Sequence, residues 1–148
     1  MSEYEQHESA PVIRIACMII EQAIERGASE LLIEPRFSGS MDPMAMRPEE
    51  RQRAESLQAC GMWPEAGVPM LRVAERISGD WLESMPMPDY MREPLTKRFK
   101  LMANLDLAVT DRSQQGHAPV RFADRSYLLM LTTTPSDLGE VVHMRVES

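Results

Sequence analysis

The chain has 148 residues, enough for one domain with a real core; 43% of them are hydrophobic and only 5% aromatic. A formal net charge of −7 excludes a protein built to grip a nucleic-acid backbone, which needs a basic face. No apolar run reaches the roughly 20 residues of a bilayer-spanning helix, and the acidic opening MSEYEQHES has no leader character, so a cytoplasmic protein without membrane insertion is expected.

Residues 1–9 read as a flexible tail. Residues 11–35, PVIRIACMIIEQAIERGASELLIEP, read as a helix running into a strand. At 3.6 residues per turn, Arg14, Met18, Glu21 and Glu25 form a narrow polar stripe. Apolar residues, Cys17 among them, fill the remaining arc, which predicts a helix pressed into a core. Pro11 suits a first helical turn, and Gly27 suits the left-handed position past a helix end. Leu31-Leu32-Ile33 is the strand, bounded by Pro35.

Residues 38–69 are a composition shift and read as an insert. Pro48 opens a short helix there with Glu49 and Glu50 in its first turn, Gly61 ends it, and Trp63 is placed to pin it. Residues 70–77 predict a half-buried strand, Ser78-Gly79-Asp80 a turn, and Trp81-Leu82 a second strand. Residues 89–105 predict a second helix with Pro94 in its first turn. Leu95, Phe99 and Met102 line its apolar face, and Lys97, Arg98 and Lys100 form a basic edge on the other side. Residues 106–119 read as a loop with a Gln114-Gln115-Gly116 turn. Strands follow at 120–122 and 126–133 around Ala123-Asp124-Arg125, and at 141–146. The fold class is α+β: two helices on a mostly antiparallel sheet of about five strands, in one domain over residues 10–148.

Few side chains are set out for chemistry. No G-x-x-x-x-G-K-[ST] loop occurs, so ATP hydrolysis by that route is excluded for these residues. His7, His117 and His143 lack metal spacing, and His143 reads as a surface residue of a strand. Cys17 on the helix and Cys60 in the insert read as a reduced pair, with Cys17 buried and inert. The groups Met41/Met44/Met46 and Met85/Met87/Met91 suit adaptable packing better than a soft metal. No cofactor, no metal and no catalytic residue is expected.

Five strings, in order, resemble one protein family. Residues 27–35, GASELLIEP, resemble the "GASDIHIEP" signature of type II secretion and type IV pilus assembly ATPases, the GspE/PilB family. Residues 100–108, KLMANLDLA, resemble "KIMANLDIA". Residues 113–117, SQQGH, stand where that family has "PQDGR", and residues 128–135 stand where it has "DLRVSTLP". Residues 139–145 match "GEKVVLR". The resemblance covers the chain apart from the tail and the insert.

It implies a PAS-like domain, the second N-terminal domain of those motors. That domain precedes a RecA-like ATPase core, moves against it in a hexamer, and lends arginines to the bound nucleotide. A fixed, always-charged fork suits phosphate oxygens. Here His117 stands for one such arginine and Met130 for the other, while Arg121 and Arg125 are the residues that could compensate. The expectation is a non-catalytic interaction or regulatory module. Its partner would be a protein, either a secretion or pilus motor ATPase or a regulator, and homo-oligomerisation is left open. Two alternatives stand beside it: a fragment of a longer motor whose core follows, and a PAS-like small-molecule sensor.

Overall fold

The computed structural model describes residues 10–37, 52, 69–84 and 86–148. The expected tail, Trp63, Cys60, the first methionine group, Met85 and nearly all of the insert lie outside the described residues.

The first helix, α1, spans Ala10–Glu25. Val12, Ala16, Ile19, Ile20 and Ala23 are its buried residues, spaced as one face. The solvent side is wider than the sequence suggests: Cys17 is exposed, a correction to its buried placement, because α1 lies on a sheet rather than inside a core. Gly27, at φ +76°, ends the helix. The Ala28 N–H reaches the Ala23 carbonyl at 2.9 Å and the Gly27 N–H reaches Ile24 at 3.0 Å, satisfying carbonyls the helix leaves open.

Strand β1, Glu30–Phe37, follows at once. It pairs with β2, Pro69–Ile77, which turns through Ser78 and Gly79 into β3, Asp80–Glu83. A two-residue strand β4, Met87–Pro88, also pairs with β2. A 3-10 turn, Asp89–Met91, leads into α2, Arg92–Met102, shorter than expected, with Pro94 in its first turn. Three long strands complete the sheet: β5 Gln114–Phe122, β6 Arg125–Ser136 and β7 Gly139–Glu147. The order is β3-β2-β1-β7-β6-β5 with every pair antiparallel. The class is α+β as expected, but the described sheet has seven strands rather than about five.

Both helices pack on one face of the sheet. Leu95 and Phe99 of α2 join the α1 residues above Leu31, Ile33, Leu71, Val73, Leu129, Leu131, Val142 and Met144. At about 25 cal/mol per Å² of apolar area, this packing is the main source of stability.

Two expectations fail here for one reason. Gln114-Gln115-Gly116 is not a turn but the start of β5. A Cβ on Gly116 would lie 2.6 Å from the Ala103 carbonyl oxygen, so the glycine permits β5 to run against the end of α2. The Gln114 amide then pairs with both the N–H and the carbonyl of Asp106, each at 3.0 Å. Lys97 and Lys100 are not a solvent-facing edge either. Both are buried, Lys100 completely, and its Nζ donates to the Val109 carbonyl at 2.6 Å and lies 2.8 Å from both Glu140 carboxylate oxygens.

The string KLMANLDLA is thus a structural device. Lys100 ties α2 to the β6–β7 hairpin and to the following loop. Asn104 takes the left-handed position at φ 58°, with Leu105 N–H on the Lys100 carbonyl at 2.8 Å. Asp106 accepts from the Ala108 N–H at 2.9 Å to close the next turn. Replacing Lys100 by Met leaves Glu140 buried with its charge uncompensated and is expected to cost about 3–5 kcal/mol in urea unfolding. The double variant Lys100→Met/Glu140→Leu is expected to recover most of that loss.

Candidate functional site

Side chains of an antiparallel sheet alternate between faces, and directly opposed residues share one. The face away from the helices therefore carries one continuous row across six strands. His117 opposes Met130, Met130 opposes Arg145, Arg145 opposes Glu30, Glu30 opposes Arg76, and Arg76 opposes Trp81. None of the seven described strands interrupts it.

The two halves of this face differ in chemistry. In the β1–β3 half, charges are tied up. Arg76 Nη1 donates to Glu30 Oε2 at 2.6 Å, and His143 Nε2 lies 2.7 Å from Glu30 Oε1. The Trp81 ring stands edge-on to His143 with centroids 6.5 Å apart. His143 is accordingly half-buried and partnered, not the plain surface residue expected. Arg72 bridges Glu34, at 2.7 Å, and Glu83. Burial works against the Arg72 charge, but those two carboxylates outweigh it and raise its pKa.

In the β5–β7 half the side chains reach solvent. His117, Pro119, Arg121, Leu128 and Arg145 are exposed and Met130 is half-buried. Arg145 makes a 3.3 Å contact with Glu147, both largely exposed, and such pairs are weak. The result is a small apolar centre, Leu128 and Met130, flanked by the Arg145–Glu147 pair on β7.

The structure brings two of the four singled-out residues together. His117 and Met130 are direct cross-strand neighbours. Arg121 opposes Ser126, four residues further along β5, or about 13 Å at the usual strand rise. Arg125 opposes Phe122 at the hairpin tip, in the register of the other face. Arg145 is the cation beside Met130, and sequence reasoning did not single it out. Its signal lay in residues 139–145, but only the register shows which residue it faces.

Hollows lined by described residues lie elsewhere, two of them sizeable. One, of about 490 Å³, opens beside the start of α2; the other, of about 210 Å³, is an apolar groove against Cys17, Ile24 and Phe122. Among the described residues no three His, Cys, Asp or Glu are grouped to hold a metal ion, and no helix is long and apolar enough to cross a membrane.

Comparison with known proteins agrees with the strings. Type II secretion system protein E of Xanthomonas campestris is 27% identical over 137 residues, 93% of this chain and 19% of that protein. Type IV pilus assembly ATPase PilB of Myxococcus xanthus is 25% identical over 140 residues, 94% of this chain and 19% of its own length. Type II secretion system ATPase E of Vibrio cholerae is 25% identical over 142 residues, 96% of this chain and 22% of its own length. Over most of its length this chain is similar to one segment of secretion and pilus ATPases. It spans about one fifth of the length of the curated relatives it matches. No family model matches it.

The Glu30 cluster gives a pH signature. The Arg76 hydrogen bond first, and the His143 hydrogen bond second, hold the Glu30 carboxyl below its ordinary 4.5. A lowered folded-state value stabilises the fold above the unfolded one and loses that contribution as pH falls through it. Urea unfolding is expected to show the native chain ahead of Glu30→Gln by about 1 kcal/mol at neutral pH. That lead is expected to vanish as pH drops well below 4.5; a lead independent of pH contradicts the assignment.

Proposed function

We propose that this chain is a non-catalytic, cytoplasmic interaction module that docks a protein partner on the open face of β5, β6 and β7. The observation that carries this reading is the pairing of His117 with Met130. By the resemblance, two phosphate-facing arginines would stand side by side there. In this chain the pair is an imidazole and a thioether, and a thioether offers phosphate nothing. Arg121 and Arg125 sit at the hairpin end, out of that row. What remains on the face is Leu128 and Met130 beside the exposed Arg145–Glu147 pair, an apolar centre with a polar edge that suits burial against another protein.

The partner is a secretion or pilus motor ATPase or a regulator of one. The domain relationship supports this class, since the matched region in the relatives is one part of a larger motor protein. A second reading has its own support. The relatives extend well beyond the matched fifth, so the same domain would serve as the front of a longer motor. Reading the coding sequence past Ser148 decides between them: an in-frame Walker motif favours the longer motor.

The interaction reading is tested with purified motor ATPases from the same cell. The chain is expected to bind one of them, and Leu128→Asp/Met130→Asp is expected to weaken that binding at least tenfold, about 1.4 kcal/mol. The chain alone is expected to give no saturable MgATP binding. Tight nucleotide binding with no protein captured overturns the proposal.

A further inference from the structure

β5 ends the sheet on one side, and among the described residues it pairs with β6 alone. Its other side is therefore an open edge nine residues long. An uncovered edge is a template for another strand.

Pro119 fixes which backbone groups this edge offers. A proline has no N–H, so within a sheet its nitrogen turns away from the ladder. Opposed pairs in an antiparallel ladder alternate between hydrogen-bonded and non-hydrogen-bonded. Pro119–Leu128 is of the second kind, and so are His117–Met130 and Arg121–Ser126. The hairpin turn agrees. Ala123 and Asp124 both have positive φ, and the Phe122–Arg125 pair that flanks such a two-residue turn is hydrogen-bonded. The carbonyls of His117, Pro119 and Arg121 consequently point outward from the edge, with the N–H groups of His117 and Arg121. Pro119 removes one donor from this row and leaves the others.

The two sides of the edge differ in chemistry. On the helix side it borders the apolar groove of about 210 Å³, where Val120 and Phe122 face Ile20 and Ile24 of α1 and Met102 of α2. That volume is below the roughly 300 Å³ at which small-molecule sites begin, and it suits an apolar side chain. Glu21, exposed on α1 beside the groove, repels an acid there. On the open-face side stand His117 and Arg121, both exposed. No ion pair among the described residues engages Arg121, and β5 contains no acidic residue.

We propose that the β5 edge captures an extended segment of a partner protein as an additional strand, one in which apolar and acidic residues alternate. Main-chain hydrogen bonds to the outward groups hold it, and alternate side chains give the selectivity. The apolar ones enter the groove, and the acidic ones meet Arg121 and His117. A second copy of this chain is a poorer occupant, because its own β5 brings another Arg121 and no acid. The edge needs no contact with Leu128 or Met130, so it stands or falls separately from the open-face docking.

The test titrates the full chain with a short synthetic peptide of alternating glutamate and valine, followed by ¹H–¹⁵N correlation spectra and amide hydrogen exchange. In the free chain the Val120 and Phe122 amides, which bond to β6, are expected to exchange slowly, and those of His117 and Arg121 fast. The peptide is expected to bind saturably and to slow exchange at His117 and Arg121. Arg121→Glu is expected to weaken that binding by about tenfold or more. N-methylation of the peptide backbone is expected to do the same while leaving the chain untouched. No saturable binding, or equal binding of the N-methylated peptide or of a lysine–valine peptide, overturns the proposal. Protection of the same two amides in the free chain as its concentration rises assigns the edge to a second copy and likewise overturns it.

Discussion

The buried ammonium of Lys100 is the constraint on which this architecture turns. A charge with no exposed surface is tolerable only when its counter-charge and hydrogen-bond acceptor are fixed in place. Glu140 and the Val109 carbonyl meet that demand, and so the end of α2, the loop after it and the β6–β7 hairpin have one mutual arrangement. The Asn104 cap and the Gln114–Asp106 pairing then direct the chain into β5. Gly116 lets that strand close against Ala103. With β5 placed, His117 necessarily faces Met130.

This ordering separates scaffold from surface. The strings that carry the family likeness mostly hold the fold: Gly27 ends α1, Lys100 and Asn104 end α2, and Gly116 seats β5. None of these contacts involves the open face. A sequence can therefore keep all of them whatever residues stand on its open face. The likeness to secretion and pilus ATPases accordingly constrains the scaffold more than that face.

Much of the scaffold was legible in the residues. The change from a helical to a strand period across Gly27 placed α1 and β1, and Ala123-Asp124 marked the β5–β6 turn, both residues adopting positive φ. Other features were hidden because their causes lie far along the chain. Gln114-Gln115-Gly116 has turn composition, but the glycine serves a close approach to a helix end, Ala103, far back along the chain. Lys97 and Lys100 look solvated until Glu140, forty residues from Lys100, is seen beside it. Cys17 looked buried because periodicity alone does not say how much of a helix its sheet covers. The functional face was the least legible part: single residues could be aligned to motifs, but their mutual placement is a matter of register.

The open face has a paired, charge-neutralised half and a half with solvent-exposed apolar groups, and the account assigns partner docking to the second. The most direct measurement is oxidative footprinting of methionines in the free chain and in its complex with a motor ATPase. Met130 lies on the docking face and Met18, 45% exposed, lies on α1 on the opposite side. Complex formation is expected to slow Met130 oxidation and to leave Met18 unchanged. Protection of Met18 with Met130 oxidised at its free rate contradicts it.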